Sequence, residues 1–247
     1  MKSATLRIYY LEAKFEFLKA IRVPAFTLPS LIFPAMFYIF FGLMFNSGSH
    51  PQHAAYLMAT YAVFGIIGPA LFSFGVGVAI EKDQGWLQLK QASPMPISAY
   101  FFARAVSAAL FGLVIVMLLF TLGALFGDVR FTHAEWLLSL LALILGSLPF
   151  AALGLLLGLS VKGQAAAAVV NLIYLPMAFL SGLWLPIQML PDFFQYFAWI
   201  FPAFHLAQIV LAIQEQSLGY PIVVHLLSLV AMTLLFVALA MRAYRRA

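Results

Sequence analysis

The stretch Glu81–Ser98, EKDQGWLQLKQASPMPIS, is the longest polar interruption in an otherwise apolar sequence, and long apolar runs flank it on both sides. A membrane protein that only reverses direction needs about five residues to do so, and this segment has eighteen. Its first half predicts a short helix. Glu81 and Asp83 stand near the start, where the helix dipole favours anions; Lys90 stands near the end, where it favours a cation; Pro94 and Pro96 then stop it. Trp86 and Leu89 are three apart and can share a face. An aromatic on a charged helix suits a docking element for a soluble partner. It also suits an ordinary interfacial loop helix, and the pattern leaves both open.

Composition bounds the rest of the chain. Of its 247 residues 65% are hydrophobic and 9% charged, with a mean hydropathy of +1.04. Soluble domains carry roughly a quarter charged residues, so this is an integral membrane protein. Cysteine is absent, which excludes disulfides and thiolate metal sites. The net charge of +5 reads as basic loops facing the cytoplasmic leaflet, not as a nucleic-acid surface. The first 23 residues carry charges throughout and lack the apolar core of a cleavable signal peptide.

Outward from the polar segment, six apolar runs approach the roughly 20 residues that a bilayer requires. They are expected near Pro24–Phe45, Tyr56–Ile80, Ala99–Phe126, Trp136–Ser160, Ala165–Leu185 and Tyr220–Met241. Pro24, Pro29 and Pro34 predict kinked early turns in the first. Gly65, Gly68, Gly75 and Gly77 let other helices approach the second closely. Residues 1–23 form an amphipathic helix: Ile8, Leu11, Phe15 and Leu18 share one face, and Glu12, Glu16 and Lys19 another. It is expected to lie in the membrane surface with Arg7, Lys14, Lys19 and Arg22 near lipid phosphates, or else to pack on a partner protein. No internal repeat or linker is visible, so residues 1–247 read as one domain.

Charge sets the orientation. Lys2, Arg7, Lys14, Lys19, Arg22, Lys82, Lys90, Arg104, Lys162, Arg242, Arg245 and Arg246 fall on one side, and only Arg130 opposite. The positive-inside rule then places both termini and Glu81–Ser98 in the cytoplasm. Residues 186–219 are apolar yet broken by Pro186, Pro191 and Pro202. They predict an outer re-entrant pair of short helices, entering and leaving on the same side.

The chain is poor in reactive chemistry. No acidic residue lies inside an expected span, and Arg104 is the only basic one, about a turn from the cytoplasmic end. Asn171 reads as an interhelical hydrogen bond, not a ligand site. His50, His53, His133, His205 and His225 all map to the outer half, and His50 and His53 read as polar loop residues. There is no GxxxxGK[ST] phosphate loop, so any uphill movement must draw its energy from another polypeptide.

Two motifs carry a family resemblance. The first is E-x-x-x-G-x-L…[ST]-P, here Glu81, Gly85, Leu87, Ser93 and Pro94. The second is FLSG-x-x-x-P…LP…P, here Phe179, Leu180, Ser181, Gly182, Pro186, Leu190, Pro191 and Pro202. With six spans and a surface helix, the sequence resembles the transmembrane subunits of type-2 ATP-binding-cassette exporters, the small bacterial drug, lipid and polysaccharide export permeases. It departs from their commonest pattern at Trp86, where a small polar residue is usual, and at Met95–Pro96.

The resemblance implies an all-α protein of the bacterial inner membrane in which Glu81–Gln91 is the coupling helix. Glu81, Lys82, Asp83, Gln84, Gly85, Trp86, Leu87, Leu89 and Lys90 would then contact the ATPase. It makes residues 1–23 the connecting helix and residues 186–219 an outer gate formed by Ser181, Gly182, Pro186, Pro191, Phe193, Phe194, Tyr196, Phe197 and Pro202. The implied partners are two copies of a separate ATPase, which binds ATP and Mg, and a second permease copy, identical or related. The chain itself holds no cofactor and is not catalytic. A charge-poor, aromatic path suits a hydrophobic or amphipathic substrate; a polysaccharide or glycolipid exporter also uses aromatics. A partner-free channel should lack a docking helix, and a membrane-embedded enzyme should show titratable residues converging at one depth.

Overall fold

A computed structural model describes residues 2–45, 51–93 and 95–245; His50, Pro94 and Arg246, singled out above, lie outside them. The described chain is all-helical. Helix α1 (Lys2–Ile21) precedes α2 (Pro24–Phe37), which continues as a π-helical stretch, Tyr38–Met44. Next come α3 (Pro51–Phe72), a wide π turn at Ser73–Gly77, and α4 (Val78–Asp83), which complete one span. The short α5 (Trp86–Ala92) leads to α6 (Ile97–Phe126). Helices α7 (His133–Leu145) and α8 (Leu148–Ser160) form the fourth span, interrupted only by the turn at Gly146–Ser147, and α9 (Gly163–Leu180) forms the fifth. The short α10 (Asp192–Ala198) and α11 (Pro202–Ile213) meet at 92°, and α12 (Ile222–Tyr244) is the last span. Among the described residues six helices are long and apolar enough to cross a membrane, with the bent pair as the re-entrant element between spans five and six.

Helix α3 is the axis of the bundle. Every residue from Leu57 to Leu71 is buried, because α2, α6, α7, α8, α9 and α11 all pack around it. A helix that is apolar on every side can satisfy its surface only in this way. Pro29 and Pro34 lie inside α2, which remains helical through both; the departure from α geometry comes after them, at Tyr38–Met44.

Several expected boundaries shift. The second span runs to Asp83, so Glu81 and Asp83 end a long helix and do not begin a short one. The expectation of no acidic residue within a span fails for the same reason, since Glu81 lies in the last turn of the second. The fifth span stops at Leu180, five residues short of Leu185, because Gly182 turns the chain with φ +76°. Only glycine adopts that conformation freely.

The two faces expected of α1 are not divided as the sequence suggests: Ile8, Leu11 and Leu18 are half-buried and Phe15 is exposed, while Glu12 and Glu16 are half-buried as well. Its stripe Tyr9, Glu12, Glu16 and Phe17 faces α6 and α5: the Tyr9 and Ser98 hydroxyls lie 2.6 Å apart, Glu12 pairs with Lys90, and Phe17 meets Phe111. Leu6, Tyr10, Phe15 and Ile21 are left outside. Polar and aromatic groups together seat the helix on the bundle, and its outer side mixes Leu6, Tyr10 and Phe15 with Arg7, Lys14 and Lys19. Lys19 pairs with Glu81.

Candidate functional site

At the end of the bundle that carries the C-terminus of α12, where Phe101 meets Tyr244, five polar side chains from three helices converge. Arg104 of α6 is fully buried. Its guanidinium lies 2.8 Å from Glu81 at the end of α4 and 3.4 Å from Glu16 of α1. It also donates to the backbone carbonyl of Ser73. That carbonyl belongs to the π turn, whose widened ring loosens the regular ladder and gives Arg104 an acceptor inside the span. Gly77 makes room for the guanidinium, since a Cβ there would run into Arg104. Glu81 is saturated in turn: Lys19 donates to one oxygen and the Tyr100 hydroxyl to the other at 2.7 Å. Arg104 also lies over the Tyr100 ring, 4.9 Å from its centre. Two acids and two bases meet there, so the buried charges compensate one another, as a low-dielectric site demands.

The next two residues hold other helix ends. Lys82 donates to the carbonyls of Leu159 (2.7 Å) and Val161 (3.1 Å), at the C-terminus of α8. Asp83 accepts the backbone N–H of Gly163 at 2.6 Å, at the N-terminus of α9. Each charge sits at the helix terminus whose dipole favours it. Asp83 thus caps the start of α9 from the end of its own helix, and Glu81 stands at the end of a span, not at a helix start.

Gly85, in the left-handed region at φ +79°, then starts α5. Leu87 is buried against Val78, Tyr100 and Leu159, whereas Trp86 and Leu89 are 53% and 62% exposed on the outer face. Lys90 pairs with Glu12 and stands 4.5 Å above the Tyr100 ring. The Ser93 hydroxyl donates to the carbonyl of Lys90, closing the helix. Of the nine residues expected to meet a partner, Glu81 and Leu87 are buried and Lys82, Asp83 and Lys90 hold contacts within this chain. The open apolar surface of α5 is Trp86 and Leu89, with Gln84 exposed beside them. Glu81 is an internal strut, because only there can it meet Arg104.

A cavity of about 630 Å³ opens beside this cluster and reaches to Phe64 in the middle of α3. Its floor carries Glu16, Lys19 and Arg104; its walls are apolar, with Phe33, Phe64, Phe72 and Tyr174 prominent. Asn171 lines it too, but its amide donates to Ala167 of its own helix, so the expected interhelical hydrogen bond is not made. Above the cavity, Trp184, Phe37, Phe41 and Phe45 stack in a near-parallel row with centroids 5.9–6.1 Å apart.

At the far end, Ser181 is buried, Gly182 turns the chain, and Pro186 and Pro191 precede the short helices of the hairpin. Phe193, Phe194, Tyr196 and Phe197 are exposed on α10. Pro202 opens α11, which is buried along almost its whole length. Here lies a constellation not anticipated from the sequence. His205 of α11 and His225 of α12 are both buried, with their Nδ1 atoms 2.9 Å apart. Each is a lone histidine in an apolar stretch, and no spacing in the sequence links them. His53 and His133 are exposed at helix starts. Among the described residues no group of three or more His, Asp or Glu could hold a metal ion.

Comparison with known proteins fits this architecture. The family described as ABC-2 type transporter matches residues 9–214. A protein named "Putative transport permease YvfS", from Bacillus subtilis (strain 168), is 30% identical over 227 residues, covering 91% of this chain and 92% of its own length.

Proposed function

Since the chain belongs to the ABC-2 type transporter family, a family of non-catalytic membrane permeases, we propose that it is one permease half of an ATP-driven exporter. Two copies of a separate ATPase bind ATP and Mg, and a second permease completes the assembly. The observation that carries this reading is α5. It leaves a tryptophan and a leucine in the open beside a neutralised ion cluster, at the end where the positive-inside pattern of the sequence puts all of the basic residues but Arg130. By the positive-inside rule that end, with both termini, is cytoplasmic, in a bacterial inner membrane. Exposed aromatics of this kind anchor protein interfaces.

The substrate reading rests on the cavity. Apolar walls above a charged floor fit a hydrophobic or amphipathic molecule whose polar end stays near the cytoplasmic surface. The row from Trp184 to Phe45 favours one second reading, a glycan or glycolipid substrate, because sugars also stack on aromatic faces.

Co-expression with a candidate ATPase, affinity purification and hydrolysis in reconstituted vesicles test the proposal. A stable complex whose hydrolysis depends on the second polypeptide is expected; hydrolysis by the purified permease alone would overturn it. Orientation is read separately from single cysteines in this cysteine-free chain. Positions 52 and 128 should label from outside intact cells, and positions 91 and 244 should not.

A further inference from the structure

The far end of the bundle carries a buried histidine pair to which the transport reading gives no work. One ring nitrogen of His205, Nε2, lies 3.0 Å from the carbonyl oxygen of Trp199. A carbonyl only accepts, so that nitrogen bears the hydrogen and, in the neutral ring, Nδ1 bears a lone pair. The 2.9 Å contact between the two Nδ1 atoms then needs its hydrogen from His225. His225 therefore presents an unprotonated Nε2, and this buried nitrogen has no hydrogen-bond partner among the described residues. Around the ring stand Trp199, stacked at 5.5 Å and 27°, and the edges of Phe204 and Tyr220 at 5.8 and 6.5 Å. The pair thus joins three pieces: the bend between α10 and α11, helix α11, and the first turn of α12.

We propose that this pair is a proton-binding site that fastens the re-entrant hairpin to the last span while neutral and releases it on taking up a proton. His225 Nε2 is the acceptor. A proton there leaves the Nδ1–H···Nδ1 bond intact but creates a buried cation. No Asp or Glu forms an ion pair with either ring among the described residues. Helix α8, packed along α12, has no titratable side chain, and α11 has none besides His205. On α3 and α7, which pack against α11, the titratable groups are His53, Tyr56, Tyr61, His133 and Glu135, and Glu135 is engaged in the cap of α7. The aromatic face of Trp199 offsets only part of the lost hydration of a cation. Water at Nε2 supplies the rest, and water reaches it when the hairpin lifts. The charged form thus favours the released hairpin, and release grows as pH falls at that end of the molecule.

Fluorotryptophan incorporated at the four tryptophans gives four fluorine resonances, with Trp199 assigned by its loss in Trp199→Phe. In vesicles titrated from about pH 7.5 to about pH 5, where histidine charge changes, the Trp199 resonance should shift and become open to broadening by a soluble paramagnetic chelate. One pH unit of difference in proton affinity between the two hairpin states changes their ratio about tenfold, and broadening should change on that scale. His225→Phe keeps an aromatic ring without a basic nitrogen and should abolish the response. His205→Gln can still donate to Trp199 and accept from His225, and should retain it. An unresponsive Trp199 in the unmodified protein, an unchanged response in His225→Phe, or loss of the response in a folded His205→Gln protein would each overturn the proposal.

Discussion

Arg104 answers to two carboxylates, a backbone carbonyl and an aromatic ring at once, so its removal leaves more than one group unpaired. Arg104→Gln should cost about 3 kcal/mol or more, the scale for stranding a buried charge. Glu81→Gln in the same background should cost less than it does alone, because the two losses overlap. Thermal unfolding of the four proteins in detergent checks both; additive losses would dissolve the cluster into independent contacts. Gly85 is required by its backbone conformation, not by crowding. A Cβ there would meet nothing within 4 Å, but φ is +79°. Gly85→Ala should therefore cost roughly 1 kcal/mol in stability even without an ATPase present, and Gly85→Asn less. The sequence showed which charges stand near position 81 but not where they point. The partners of Lys82 and Asp83 lie 77 to 80 residues away, and no local pattern carries that information.

Among the elements, the spans were readable because apolar runs of that length have few alternatives, while their ends depended on contacts made after folding. Span two ends three residues beyond Ile80, where the apolar run stops, and Glu81 looks like a surface charge until Arg104 is beside it. Span five stops short of the end of its apolar run, and nothing local announces the left-handed φ of Gly182. For α5 the readable part was the pair Trp86 and Leu89, both exposed as their spacing predicts. Trp86→Ala should weaken ATPase association by about 2 kcal/mol or more if the side chain anchors the contact, with insertion unchanged. Pull-down from detergent measures this, and normal recovery of the ATPase with both Trp86→Ala and Leu89→Ala would return α5 to an inert loop helix. The seat of α1 has its own check. Glu12→Lys or Lys90→Glu alone should loosen α1 from α5, and the double swap should restore protection of α1 from protease.

For the whole molecule, the cavity and the proposed docking surface lie at one end of the bundle and the hairpin at the other, so export should be open to damage that spares assembly. Asn171→Trp, which thrusts a large ring into the cavity, should reduce export while ATPase recovery stays normal; equal loss of both would make the cavity a packing defect. The contacts of residues 81 to 83 also impose an order on biogenesis. As the chain leaves the ribosome, Lys19 is already present when Glu81 emerges, and Arg104 follows shortly. Lys82 and Asp83 must wait for residues 159–163, which at about 5–20 residues per second takes roughly 4–16 s. Over that interval the second span is in the bilayer with its last turn unfastened. A nascent chain arrested before the fourth span has emerged should therefore leave a cysteine at position 79, which the finished fold buries and which spares Lys82 and Asp83, open to labelling, and one arrested beyond the fifth should close it.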